Sequence, residues 1–335
     1  MAAAPDVAVV GGGIVGLAAA DALVRRGADV VVLERFTPGS GQSAGVARGF
    51  RHLHATAEQI AQAVRARALW DEWSARAGEP LVGDEGALRL GGDVEGDAAR
   101  LRAAGVEATV LERAGARHPA LDPEAGPLLW DPRGGAIRAA RTIAWLAGEL
   151  GERVRRTEVV GVHAGRLATA DGPLACGRVV LCAGAGTERL WPALPPRRRV
   201  VHVRITFAGP DGGATWADRG DAFGARTYGV ADGPGRFALG LAEPDAQPAP
   251  GDPAAETVGV PPDLGAVRAR LRDYARAAFP GLGPPLDEVV RLLTIFPGDD
   301  EDRYVVEPGD PVVVAGHNLF KLAPLLGEEV ADAIM

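Results

Sequence analysis

The chain is poor in the residues that mark several protein classes. It holds two cysteines and six histidines, and none of them cluster. Two cysteines cannot build a disulfide framework, and Cys176 and Cys182 flank or lie in one predicted strand, where they cannot readily pair. Buried thiols in a reducing compartment are expected instead. The scattered histidines and cysteines show no metal-ligand spacing. No apolar stretch reaches the length of a membrane span. The first residues lack a basic start, and Asp6 interrupts before the first apolar run, so no secretory signal is expected and a cytoplasmic location is. Positive charge is also short: the formal net charge is −8 and the pI about 5.4. That argues against nucleic acid or an anionic membrane as partner. Arg197-Arg198-Arg199 is the one basic run and reads as a solvated junction.

Two absences are nearly complete. Lys321 is the only lysine and Asn318 the only asparagine, and both fall within Gly316-His317-Asn318-Leu319-Phe320-Lys321. A chain that avoids both residue types elsewhere, yet keeps one of each three positions apart, marks this segment for attention.

What is present is a large apolar reserve. The 335 residues are 47% hydrophobic, enough for two domains or one large one. The densest signal lies at residues 7–34. Val7-Ala8-Val9-Val10 is a short apolar run, followed at once by Gly11-Gly12-Gly13-Ile14-Val15-Gly16, a helix-like stretch to Arg26, Gly27, and a second apolar run closed by Glu34. Strand, glycine turn, helix, strand and acid together make a dinucleotide-binding βαβ unit. Gly11 permits the tight turn, Gly13 lets the backbone approach a pyrophosphate, and Gly16 with Ala20 keeps the helix near the sheet. Glu34 suits a ribose 2′-hydroxyl and disfavours a 2′-phosphate.

Further along, Ala57–Ala77 and Arg138–Leu150 have helical periodicity, and Leu81–Leu90 alternates like a strand pair around Gly86. A short helix is expected over Ala98–Ala104, and a surface excursion over the Pro-rich Pro244–Pro262. Val200–Phe207, Arg226–Val230, Arg236–Leu241 and Val289–Phe296 read as strands, and Leu264–Ala278 as a helix. Arg178–Gly186 and Val312–Gly316 are buried strands running into small-residue turns, the second leading into a helix from about Leu325. The pattern predicts an α/β (α+β) architecture. A Rossmann-like cofactor-binding domain over 1–78, 136–195 and 303–335 would intertwine with a mainly antiparallel-sheet substrate domain over 79–135 and 196–302.

These blocks resemble the D-amino-acid-oxidase-like flavoprotein superfamily, nearest its sarcosine-oxidase-like amine oxidases. The resemblance rests on Val7–Glu34, on Ala44-Gly45-Val46-Ala47-Arg48-Gly49-Phe50-Arg51, on Val179–Gly186, and on Gly316–Lys321 followed by Gly327-Glu328. It implies FAD. It implies cofactor contacts at Gly11, Gly13, Ile14, Val15, Gly16, Glu34, Arg35, Ser43, Arg48, Val159, Ala183, Gly184, Gly316, His317, Asn318, Leu319, Phe320 and Lys321. It further implies a carboxylate clamp of Arg51 and Lys321, with Tyr228 facing the substrate. The implied reaction moves a hydride from the C–H beside the nitrogen of an amino, N-alkyl amino or cyclic imino acid to flavin N5, giving an imine.

Departures from the pattern are informative. Arg291 stands where relatives with covalent flavin have a cysteine, so FAD is expected to be non-covalent. The lysine that activates oxygen in sarcosine oxidases aligns with Ala238, the histidine after it with Ala242, and a histidine before the first arginine with Ala44. Oxidase and dehydrogenase therefore both stay open, as do a 2-hydroxy-acid dehydrogenase and a catalytically silent flavin-binding accessory protein. The expected partner is a small carboxylate-bearing amine, with monomer and dimer equally compatible.

Overall fold

The computed structural model describes residues 4–163, 165–195, 197–242, 264–296 and 303–335. Its six-stranded sheet has the order Tyr304–Glu307, Val312–Gly316, Arg178–Leu181, Val7–Val10, Val30–Glu34 and Val154–Arg156. The first of these runs antiparallel to its neighbour and the rest pair in parallel. Parallel strands covered on both faces read as unbroken apolar runs, which is why Val7–Val10 and Val30–Leu33 show no alternation and are wholly buried. Helices Ile14–Arg25, Ala139–Leu150 and Ala323–Ile334 cover one face through Leu17, Leu23, Leu146, Leu326 and Val330. A three-stranded antiparallel sheet, Val159–His163, Arg166–Thr169 and Gly172–Ala175, covers the other with Val159 and Leu167. Helix Ala57–Ala77 starts on a capping box between Thr56 and Gln59 and stops at left-handed Gly78.

The second sheet has eight strands in the order Pro285–Ile295, Arg198–Ala208, Arg236–Leu241, Thr227–Ala231, Thr215–Asp218, Ala87–Leu90, Leu128–Asp131 and Thr109–Leu111. Only the Thr215–Asp218 and Ala87–Leu90 pair is parallel. Its strands alternate. Val201, Val203, Ile205 and Phe207 enter a core with Trp216, Phe279 and helix Gly265–Ala278, while His202, Arg204 and Thr206 turn to the opposite face. His118 is buried in that core against the rings of Phe237 and Phe279, at centroid distances of 4.6 and 4.9 Å.

Several expectations change in detail. Leu81–Leu90 is not a strand pair. Val82 makes a single bridge to Ile137, whereas Ala87–Leu90 pairs with Thr215–Asp218 and Leu128–Asp131. The helix expected over Ala98–Ala104 begins earlier and spans Val94–Ala103, capped by Asp93. The last helix starts at Ala323, after a 3-10 turn at Leu319–Leu322. Pro244–Pro262 lies outside the described residues. Both cysteines are free and buried. Among the described residues no helix is long and apolar enough to cross a membrane, and no cluster of His, Cys, Asp and Glu could hold a metal ion.

Candidate active site

The carboxyl ends of Val7–Val10, Arg178–Leu181 and Val312–Gly316 meet the polar face of the eight-stranded sheet. Between them lies a cavity of about 1220 Å³. That exceeds the roughly 300–1,000 Å³ of ordinary small-molecule sites. Of the cofactor and substrate contacts that the resemblance implies, all line it except Gly16.

At one end the glycine turn follows the first strand. Gly11 has φ +104°, and a Cβ there would sit 2.5 Å from the Cys182 carbonyl oxygen, so only glycine fits. A Cβ at Gly16 would fall 1.9 Å from the Gly11 carbonyl oxygen. Gly16 thus acts as packing that presses the helix onto the turn, rather than as a wall of the cavity. Gly13 differs from both. Its φ of −73° suits any residue, and its Cβ position meets only the Ser43 hydroxyl, at 3.3 Å. Packing within the protein does not require glycine at 13, but a ligand lying against this backbone would. The helix that starts here carries no acid in its first turn, and Ser43 Oγ accepts the Ile14 N–H at 3.0 Å. The Glu34 carboxylate accepts the Gly12 N–H at 2.7 Å and the Phe36 N–H at 2.9 Å, which anchors it at the end of the second strand. A helix start without an acid in its first turn, a bare backbone at 13 and a fixed acid fit a pyrophosphate beside a ribose.

The C-terminal wall explains the two rare residues. Asn318 has φ +54°, the only non-glycine in the left-handed region among the described residues. Asparagine tolerates that region better than most side chains. Lys321 sits in the 3-10 turn with 4% exposure, and its carbonyl accepts the Trp70 indole N–H at 2.8 Å. Phe320 stacks on Trp70, with ring planes 6° apart. The Arg48 guanidinium lies over Phe320, 5.5 Å from the ring centre, which ties the N-terminal arginine segment to this loop.

The cavity floor is more cationic than the sequence suggests. Arg48 donates to the carbonyls of Ala47 at 2.8 Å and Gln42 at 3.2 Å. Burial, then the nearby guanidinia of Arg291 and Arg204, hold its pKa well below the usual arginine value. Arg204 is 2% exposed and pairs with Asp232 at 2.9 Å, while its other terminal nitrogen donates to Ala47 O at 2.9 Å. The Thr206 hydroxyl donates to the second oxygen of Asp232 at 3.0 Å. Arg291 is pushed down to about 10 by burial and by Arg204. Ala238 does not reach the cavity; it is buried with Ala47, Ala136 and Val230. The neighbouring strand supplies what this strand lacks, because Thr206 lies opposite Ala238 and Arg204 opposite Gly240.

His202 on that same strand fixes the state of Tyr228. The imidazole Nε2 lies 2.6 Å from the Leu241 carbonyl, which can only accept, so Nε2 carries the proton. Nδ1 is then an acceptor, 3.4 Å from the Tyr228 hydroxyl. Burial pushes the imidazole down to about 4, which keeps it neutral near pH 7. Arg51 lines the cavity and donates from Nε to the Leu53 carbonyl at 3.2 Å. Arg197, read as part of a solvated junction, is instead buried. It pairs with Glu188 at 3.0 Å and donates to Gly184 O at 3.0 Å and Thr294 Oγ1 at 3.2 Å. Sequence reading missed Arg204 and His202, and took Arg291 only as a departure at the flavin-attachment position. The signal of Arg204 and His202 was present in the alternation of Val201, Val203, Ile205 and Phe207 with polar residues.

Comparison with known proteins agrees with this geometry. The family profile described as FAD dependent oxidoreductase matches residues 6–333. N-methyl-L-tryptophan oxidase from Yersinia pestis (strain Pestoides F) is 28% identical over 221 residues, which cover 61% of this chain. The match spans 58% of that relative's length. Among solved structures, the open form of NikD, an unusual amino acid oxidase essential for nikkomycin biosynthesis, superposes with a TM-score of 0.82 at 25% identity, over 99% of this chain and 94% of that one. L-proline dehydrogenase from P. horikoshii superposes with a TM-score of 0.83 at 21% identity, over 100% and 94%, a likeness of fold. The chain belongs to the FAD-dependent oxidoreductase (DAO) family.

Proposed function

We propose that this protein is an FAD-dependent amine oxidoreductase that oxidises the carbon beside the nitrogen of an amino, N-alkyl amino or cyclic imino acid to an imine. The observation that carries this reading is one continuous cavity joining the glycine turn at Gly11, Gly13, Ile14 and Val15 to a floor bearing Arg51, Lys321 and Tyr228. The names of the relatives, N-methyl-L-tryptophan oxidase and the amino acid oxidase NikD, support it. When bound, FAD supplies a two-electron acceptor at its ring.

In this reading Gly11, Gly13 and the helix start hold the phosphates, and Glu34 the ribose. Val159, Ala183 and Gly184 border the adenine half, and Gly316–Lys321 borders the ring. Arg51 and Lys321 hold the substrate carboxylate, which fixes the reacting C–H in place. Tyr228 donates its proton to His202 Nδ1, leaving phenol lone pairs to accept an N–H of the substrate amine. A neutral His202 can also take a proton passed through Tyr228. Attachment of FAD is non-covalent. The chain has two cysteines, the cavity residue Arg291 stands where the sequence resemblance implied an attachment cysteine, and burial pushes the Cys182 thiol up to about 12. We also assign cofactor binding to 1–78, 136–195 and 303–335 and substrate binding to 79–135 and 196–302. Support comes from the six-stranded sheet, which draws its strands from the first set, and the eight-stranded sheet, which draws its strands from the second.

The test is the absorbance spectrum of the purified protein, then anaerobic bleaching with a panel of amino and imino acids. Bleaching by one of them is expected. Protein that takes up no flavin refutes the reading; bleaching by 2-hydroxy acids alone replaces it with a hydroxy-acid dehydrogenase. Bound FAD that no substrate bleaches makes the protein a silent flavoprotein. Lys321→Met is expected to raise KM by roughly 10-fold or more for carboxylate substrates while FAD stays bound. Equal activity on the decarboxylated amine counts against the clamp.

A further inference from the structure

Arg89 is a guanidinium on the cavity floor that this reading does not use. Arg89 lies opposite Ala217, Ala217 opposite Tyr228, Tyr228 opposite Gly240, and Gly240 opposite Arg204. Residues paired across a sheet point to one face, so these five form a single row across the floor. With strands about 4.8 Å apart, the Cα atoms of Arg89 and Tyr228 stand roughly 10 Å from each other. The Tyr228 ring covers Gly240, where a Cβ would lie 2.5 Å from it. It therefore leans away from Ala217, whose methyl group is the side chain that stands between Tyr228 and Arg89 in the row.

Arg89 is charged, buried and incompletely bonded. Its side chain is 9% exposed and Nη1 pairs with Asp97, yet Nη2 has no partner among the described residues. A buried N–H donor left unmade is costly, the more so on a charged group, so such a group points to a ligand. Arg219 converges on it. Arg89 Nη2 and Arg219 Nε both lie 3.4 Å from the point a Cβ on Gly92 would occupy. Arg51 and Arg219 both act electrostatically on Arg89. The carboxylates present are already engaged: Asp97 also pairs with Arg100 at 2.9 Å, and Asp221 accepts the Gly92 N–H at 2.8 Å. Arg51, Arg89, Arg100 and Arg219 therefore outnumber the acids among them.

We propose that Arg89 and Arg219 form a second carboxylate subsite, and that the substrate is an amine bearing two carboxylates: an acidic amino acid or its N-alkyl or cyclic imino derivative. One carboxylate is held by Arg51 and Lys321, the other two strands away. The identity of the reacting end rests on the amine-oxidoreductase reading; the anion subsite does not.

Two measurements on the FAD-loaded protein separate these. In the first, non-reducing glutarate and butyrate are titrated while the flavin absorbance is followed. Glutarate is expected to bind at least 10-fold tighter, and Arg219→Ala, an exposed position that spares the fold, is expected to remove most of that preference. In the second, anaerobic reduction by N-methylglutamate is compared with that by N-methylnorvaline. The ratio of their kcat/KM values is expected to fall roughly 10- to 100-fold in Arg89→Gln. Glutarate binding no tighter than butyrate overturns the subsite even where amines bleach the flavin. A glutarate preference lost in Arg219→Ala upholds it even where no amine bleaches the flavin, an outcome that overturns the amine reading alone. A kcat/KM ratio unmoved in Arg89→Gln also overturns it.

Discussion

Replacing Gly13 and Gly16 by alanine separates two demands that one glycine motif conceals. At Gly16 the added Cβ would lie 1.9 Å from the Gly11 carbonyl oxygen, while real contacts of this kind do not fall below 3.0 Å. The helix or the turn must retreat by about 1 Å inside a close-packed core, at a cost of roughly 1–3 kcal/mol. Gly16→Ala should therefore lower the Tm of the protein without cofactor. At Gly13 the Cβ meets only the Ser43 hydroxyl, at 3.3 Å, and the backbone is one that alanine adopts freely. Gly13→Ala should leave that Tm unchanged or raise it slightly, because alanine narrows the unfolded ensemble. Its effect should fall on the cofactor. A methyl group between the helix start and a pyrophosphate displaces N–H bonds to charged oxygens worth about 1.5–3 kcal/mol each. Losing two of them weakens FAD binding by roughly 100-fold or more. Thermal scans without cofactor and fluorescence titration with FAD read the two effects separately. Wild-type FAD affinity in Gly13→Ala, or a Tm loss equal to that of Gly16→Ala, would refute the assignment of position 13 to the ligand.

Two further outcomes are expected. His118 has its pKa lowered to about 4 by burial, so between pH 6.5 and about 4 the unfolded chain takes up a proton that the folded chain refuses. Its stability contribution is complete above pH 6.5 and falls by about 3 kcal/mol as pH drops through that window. His118→Phe should flatten the dependence of the urea midpoint between pH 7.5 and 5, leaving the share of His202, also near 4, in place; an unchanged slope counts against it. Tyr228→Phe should lower kcat roughly 10- to 100-fold with KM little altered, and a raised KM with kcat unchanged would show that the hydroxyl only binds.

How much of this was legible depended on sequence distance. The unit from Val7 to Glu34 is local: its strands, turn and helix lie within one stretch, and each demands residue types that the row of letters displays. The far wall was legible because rarity singled it out, and backbone geometry then accounted for the asparagine and burial for the lysine. The cationic floor was not legible. Arg204, Asp232 and Arg291 meet only when three strands pair, and no local pattern says which face of a strand becomes a pocket. Arg197 misled for a related reason. A run of three arginines reads as solvated, but Glu188 and the Gly184 carbonyl, set by another turn, receive the first of them.

The order of strands in the six-stranded sheet bears on how the protein is made. Val7–Val10 emerges first and pairs early with Val30–Glu34, but its other edge waits for Arg178–Leu181, and that strand waits in turn for Val312–Gly316. At about 5–20 residues per second the first wait alone lasts on the order of 10 s. Throughout it an edge of four apolar residues has no native partner, and such edges recruit other chains. At the proposed site, cofactor cannot hold the nascent chain together in this interval, because the wall formed by Gly316–Lys321 has yet to leave the ribosome. Productive expression should therefore depend on chaperone capacity during synthesis, and added flavin should improve yield only after the chain is released.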